Sequence, residues 1–343
     1  MKAMVLKQIH DLNKNQNPLE LVYLPDPTPE ENEILVRVSA CGICHTELDE
    51  IEGRTPPPRF PVVLGHQIIG RVEKAASGTH IFKRGDRVGI AWIGSACGKC
   101  PFCRGGNENL CSAFMATGRD IQGGYAQYTT IREDFACAIP DAFSDLEAAP
   151  LLCAGAIGYR SLRLTSMEEG ENLGLIGFGA SAHLVIQMAK HKYPRSKIFV
   201  FARAEKEKEF ARALGAFWAG DLEDDSPIKL DCVIDTTPAW NPILEGLKNL
   251  QRGGRLVINA IRKEEGDKES LLKIDYPRHL WLEKEIKTVA NVTRDDVSEF
   301  LQLAAQMQIR PEIQEFPLEE ANQALVELKQ KKIRGAKVLK IDS

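Results

Sequence analysis

A two-part α/β chain is the fold class expected here, and three features of the 343-residue sequence produce that expectation. Residues up to about Cys153 read as short strands broken by Gly and Pro. From Leu173 onward, strand-like and helix-like stretches alternate, which implies a doubly wound parallel sheet covered on both faces. At the first strand-to-helix junction of that second part stands Gly177-x-Gly179-x-x-Ala182. The length and a 43% hydrophobic content suffice for about two domains with buried cores.

The β-rich part declares itself by alternation. Ile34–Val38 and Ile68–Glu73 place apolar side chains at every second position, as half-buried strands do. Gly85-Asp86-Arg87-Val88 is a turn entering another strand, and 25–29 and 56–58, rich in Pro, are loops. In the second part, Leu173–Ile176 is a buried strand, followed by the glycine loop and a helix to about Lys190. Lys197–Phe201 is the next strand and Glu205–Leu214 the next helix, and Cys232–Ile234, Arg255–Ile258 and Ile286–Val289 complete the strands. The tail returns to the first part's style. Ala321, Ala324, Leu325 and Leu328 share a helical face, and Lys337–Ile341 closes as a strand.

The glycine loop carries a mechanism because of where it stands. Gly177 permits the tight turn, and Gly179 lets the backbone approach a pyrophosphate. Ala180, Ser181 and Ala182 open a helix whose free amides face that anion, and Ala182 keeps the helix close to the strand. This is the Rossmann dinucleotide fingerprint. The second strand ends Phe201-Ala202-Arg203, with no acid to bind the ribose hydroxyls of NAD. A guanidinium there can fork onto a 2′-phosphate, so NADP(H) is the expected cofactor and NAD(H) the alternative. An exposed Arg203 with no cofactor role is the competing reading.

Cys97, Cys100, Cys103 and Cys111 follow a C-x2-C-x2-C-x7-C pattern in a loop at about 95–112. Short spacers let one loop supply four thiolates to a closed zinc site, and no secretory signal favours disulfides. The other cysteines and the histidines are too far apart for spacing to join them. Net charge is −4, and the charge runs alternate in sign, which points away from nucleic acid and anionic membrane surfaces. No stretch of about 18 apolar residues suggests a membrane span. Nine cysteines without a signal segment suggest a reducing, cytoplasmic setting.

Taken in order, Cys41-Gly-Ile-Cys44-His45-Thr46, Gly65-His66, the four-cysteine loop, Ala149-Pro150-Leu-Leu-Cys153-Ala154-Gly155 and the glycine loop resemble the zinc-dependent alcohol dehydrogenases of the medium-chain dehydrogenase/reductase superfamily. The resemblance covers essentially the whole chain. It implies a GroES-like β-barrel catalytic domain over 1–153, a Rossmann domain over 154–292, and a return to the first domain over 293–343. It further implies two Zn2+ per chain, with Cys44, His66 and Cys153 on the catalytic ion and a coordination position left open. Thr46 resembles the hydroxyl that takes the substrate proton, His45 a residue near the cofactor phosphate, and Trp92 an aromatic of the alcohol pocket.

The implied activity is hydride exchange between a nicotinamide and a primary alcohol or aldehyde, in a homodimer or homotetramer. A polyol, a formaldehyde adduct or a cinnamyl-type alcohol is the alternative substrate, and a non-catalytic zinc- and nucleotide-binding protein the alternative class. The sequence also departs from the family. Gln67 replaces the acid after the histidine ligand, Glu47 stands where aspartate is usual, and Asp49 where a relay histidine is common. Asp49 is the candidate proton outlet, with a relay through water the alternative. Ile51 stands near a tryptophan of ethanol-oxidising relatives, so a medium-chain or aromatic substrate is expected. Ala336 occupies the place of a pyrophosphate-binding arginine, which leaves Arg334 as a candidate cofactor contact.

Overall fold

The computed structural model describes residues 1–330 and 335–342. Arg334 lies outside the described residues. The chain divides into two compact units, one formed by Met1–Cys153 with Val292–Ser343 and the other by Ala154–Asn291.

The first unit is built on a seven-stranded sheet. Its hub is the 11-residue strand Glu33–Ile43, whose first half pairs with Tyr128–Arg132 and whose last residues pair with the C-terminal strand Ala336–Lys340. The opposite edge of the hub pairs antiparallel with Ile68–Ala75, which in turn pairs with Arg87–Ile90. A three-stranded sheet, in the order Leu19–Tyr23, Lys2–Leu6, Val62–Val63, completes the β structure around the N-terminus. Ile34, Val36, Val38, Ala40 and Cys41 are all buried, so the hub runs through the interior.

The second unit is a six-stranded parallel sheet. Its spatial order is Trp218–Gly220, Ile198–Phe201, Leu173–Ile176, Leu230–Asp235, Leu250–Ile258, Glu285–Thr288. Numbered along the chain this is 3-2-1-4-5-6, the doubly wound arrangement whose direction switches beside the first strand. Ile176, Phe199, Phe201, Val233, Leu247 and Leu256 pack together as its core. Leu173–Ile176 and Ile198–Phe201 are wholly buried, which explains their unbroken apolar runs. Glu285–Thr288 is exposed throughout and forms an open edge. No helix among the described residues is long and apolar enough to cross a membrane.

Candidate metal centres and nucleotide loop

Cys44 leaves the end of the hub strand and caps the short helix His45–Ile51. Its sulfur accepts from the Thr46 amide at 3.3 Å, while its own amide donates to Glu47 Oε2 at 2.8 Å. This capping box is the local reason the chain turns here. It also aims the second oxygen of the same carboxylate: Glu47 Oε1 lies 2.5 Å from His66 Nδ1. Glu47 and His66 are both buried, at 0% and 1% exposure. With Nδ1 engaged, His66 presents Nε2 outward, as a metal-bound imidazole requires.

Cys153 arrives from the π-turn Leu151–Gly155, which follows the capped helix Asp145–Pro150. Cys44 Sγ lies 3.9 Å from Cys153 Sγ and 3.8 Å from His66 Nε2. Two sulfurs bound to one zinc at a tetrahedral angle stand about 3.8 Å apart. All three ligand atoms fall within 4.8 Å of one another. The donor set therefore fits a zinc ion with one corner left open. Hydrogen bonding with Cys153, then burial, push the Cys44 thiol well above its ordinary value. Burial opposes the His66 charge, but Glu47 and Cys44 outweigh it and hold His66 high. A bound cation reverses this balance and releases both protons.

Thr46 Oγ1 stands 3.3 Å from Cys44 Sγ, beside the trio. His45 is exposed on the first turn of the helix. Asp49 is buried and forms an ion pair with Arg54, whose other nitrogen lies 2.5 Å from Glu52. Ile51 is completely buried, with no surface open to a ligand. Trp92 is half-buried, 5.2 Å from the Phe114 ring, with Arg119 over its face.

Sequence reasoning missed Glu50. Its carboxyl is 1% exposed, and neither oxygen has a hydrogen-bond partner among the described residues. Burial first, then the Glu47 charge, hold it well above the usual carboxylate range, against the pull of His66 and Arg119. A buried acid with no partner is costly, and its place beside Glu47 and His66 marks it as part of the centre. No signal in the sequence separates it from the other acids of 47–52.

The four-cysteine loop is gathered as its spacing predicts. Cys97 and Cys103 stand 3.9 Å apart and Cys100 and Cys103 3.5 Å apart, far beyond a disulfide. Cys100 caps the turn Pro101–Arg104, and left-handed Gly98 and Gly106 make the bends. The amides of Cys103, Cys97 and Ala113 point at sulfurs. Such donors favour thiolates, and four of them suit a closed metal site.

In the second unit, Gly177 has φ 78°, and a Cβ there would stand 2.8 Å from Thr236 Oγ1. Glycine is required at this turn. At Gly179 a Cβ would meet nothing within 4 Å, so open space lies over the backbone. The helix Ala182–Lys192 begins with no side-chain cap on Ser181. Its opening amides at Ala180, Ser181 and Ala182 are thus left to an external anion, and the loop fits a dinucleotide pyrophosphate. Arg203 is exposed just past the end of Ile198–Phe201 and forms no ion pair among the described residues. Lys337, a neighbour of the Ala336 position, is buried and bonded to Glu327 and Gln314 at 2.6 and 2.9 Å.

A β-rich unit with a three-ligand metal centre, on one chain with a dinucleotide-type sheet, defines a metal-assisted nicotinamide oxidoreductase. Comparison with known proteins agrees. Residues 30–141 match the family described as the alcohol dehydrogenase GroES-like domain. The chain is 42% identical over 329 residues to the probable alcohol dehydrogenase AdhA of Mycobacterium tuberculosis, covering 94% of this chain and 93% of that one. It is 33% identical to an alcohol dehydrogenase of Geobacillus stearothermophilus over 99% of both. Acetophenone reductase from Geotrichum candidum, solved in complex with NAD, superposes with a TM-score of 0.81 at 25% identity, over 99% of this chain and 96% of that chain. The chain belongs to the zinc-type alcohol dehydrogenase family of the medium-chain dehydrogenase/reductase superfamily.

Proposed function

We propose that this oxidoreductase interconverts primary alcohols and aldehydes of medium-chain or aromatic type, with NADP(H) preferred and two zinc ions per chain. The observation that carries the reading is the convergence of Cys44, His66 and Cys153, with Glu47 fixed behind His66. When bound, the catalytic zinc supplies Lewis-acid polarisation of the substrate oxygen and the nicotinamide supplies or takes the hydride. The chain's own residues do the rest. Glu47 holds the proton on His66 Nδ1. Thr46 Oγ1, beside the trio, accepts the substrate's hydroxyl proton and passes it on. The amides of the glycine loop seat the pyrophosphate, and Arg203 forks onto the 2′-phosphate. The family resemblance gives His45 a role at the cofactor phosphate and Trp92 a role at the substrate.

The aromatic preference draws support from the acetophenone reductase likeness. Ile51, being fully buried, bears on it only through the room it leaves its neighbours. The open edge Glu285–Thr288 suits pairing between copies in a homodimer or homotetramer. The setting is cytoplasmic.

Metal analysis and turnover test the reading together. Two zincs per chain, with benzyl alcohol oxidised in preference to ethanol, are expected. One zinc and no turnover on a panel of alcohols and aldehydes would leave only the non-catalytic binder. Arg203→Ala should weaken NADPH binding about ten- to a hundredfold more than NADH binding, the worth of charge-assisted hydrogen bonds. Equal losses for both would remove Arg203 from cofactor choice.

A further inference from the structure

The parallel sheet of the second unit has two ends. The glycine loop, Arg203 and Thr236 follow the carboxyl ends of its strands. At the opposite end, Lys229 precedes Leu230–Asp235, Gln251 and Arg252 open Leu250–Ile258, and Lys284 precedes Glu285–Thr288. These residues line a recess of about 650 Å³. Lys248 and Arg278 join them in its wall, and Asp225 is its single acid. Five cations against one anion stand out in a chain whose net charge is −4, and a concave wall concentrates that potential.

Most of this charge is not neutralised. Lys248 is matched by Glu245 and Asp225, at 2.6 and 3.3 Å. Lys284 Nζ donates instead to the carbonyls of Leu247 and Arg278, at 2.7 and 2.8 Å, and Lys229 Nζ to the Lys248 carbonyl at 2.9 Å. Carbonyl oxygens hold an ammonium in place without cancelling its charge. Burial, then the charge of Lys229, lower the Lys284 pKa. Arg252 and Arg278 form no ion pair among the described residues and are exposed.

The wall is also held in a strained shape. Leu282 and Glu283, consecutive and neither of them glycine, have φ of 69° and 61°. Such residues cost on the order of 1–3 kcal/mol each and persist where the surroundings fix them. Here the Gly253 amide donates to the Leu282 carbonyl at 2.8 Å. The turn sets Trp281 and Lys284, its two flanks, into the same recess, and Trp281 is 53% exposed.

We propose that this recess binds a phosphorylated small molecule, at the end of the sheet opposite the glycine loop, with Arg252 and Arg278 on the phosphate and Trp281 available to a flat ring. Guanidinium groups pair phosphate oxygens two at a time, and an exposed indole face stacks on a base. A nucleotide and a free phosphate ester or pyrophosphate share this chemistry. The inference is independent of the substrate and cofactor assigned above.

Calorimetry on the full chain saturated with NADPH, so that the glycine loop is filled, tests it, with pyrophosphate and AMP as probes. Arg252→Glu combined with Arg278→Glu should weaken pyrophosphate binding at least tenfold. NADPH binding, read by nicotinamide fluorescence, should stay within twofold. Should the double variant misfold, Arg252→Gln alone should weaken pyrophosphate about threefold, as loss of one of two guanidinium contacts. Trp281→Ala distinguishes the sources: weaker AMP with unchanged pyrophosphate identifies a nucleotide, and no change in either identifies a free phosphate compound. Pyrophosphate affinity unaffected by the arginine substitutions, or no saturable binding at millimolar concentration, overturns the proposal. A second copy of the chain covering the recess would give that last result.

Discussion

The four-cysteine loop and the Cys44–His66–Cys153 trio each gather donor atoms that fit a metal, yet they are made in opposite ways. The loop takes its four sulfurs from residues 97–111, bends on Gly98 and Gly106, and surrounds its thiols with backbone amides. The trio takes one ligand from the end of a strand, one from a distant segment and one from a π-turn. It offers three donors, and buried carboxylates stand behind them. The contrast shows what separates a brace from a reactive centre. A brace needs ligand number and short spacers, whereas a reactive centre needs a vacant corner and outer groups that fix and tune the ligands.

The largest expected effect sets the two sites against each other. Cys44→Ser should remove one zinc and lower turnover by more than about a hundredfold, beyond the loss typical of an outer-group change. Cys100→Ser should also remove one zinc but act mainly on stability, with a lower melting temperature and turnover per folded molecule within about threefold. Equal collapse of turnover in both variants would erase the distinction. Next in size is Glu47→Gln, expected to cost about ten- to a hundredfold in zinc affinity by chelator competition. The same measurement at the four-cysteine loop should be unmoved.

A smaller effect is expected at Asp49. Asp49→Asn breaks the ion pair with Arg54 and should cost about 1 kcal/mol in urea unfolding. Slower alcohol oxidation below neutral pH would add a proton-outlet role, and an unchanged pH profile would leave Asp49 a purely structural partner of Arg54. Glu50 sharpens the comparison last. Its folded pKa is raised, so the stability of the metal-depleted chain is greatest below the ordinary glutamate value and falls as pH rises through the folded one. Glu50→Gln should remove that slope above the ordinary glutamate value and raise the melting temperature at alkaline pH by a few degrees, about 1 kcal/mol. A wild-type slope retained in the variant would place the titration elsewhere.

Legibility in the sequence followed the same divide. The four-cysteine loop could be read from spacing because its ligands are local. The glycine loop could be read because a buried strand precedes it and a helix follows. The trio was visible only through resemblance, since hydrogen-bonded strands and a turn bring together residues up to 109 positions apart. The helix His45–Ile51 escaped notice because it is one seven-residue segment with three acids and little apolar periodicity. Glu50 escaped with it, because acids are ordinarily solvated and nothing local marks one for burial. The three-residue strand Trp218–Gly220 is too short to show alternation.

The pairing of Lys337 with Ile43, Val338 with Gly42 and Leu339 with Cys41 ties the segment that delivers Cys44 to a strand from beyond the whole of Ala154–Asn291. The first unit is therefore discontinuous in the chain, and the support beneath Cys44 depends on its two separated pieces meeting. The four-cysteine loop has no such dependence, because its sulfurs come from one short segment.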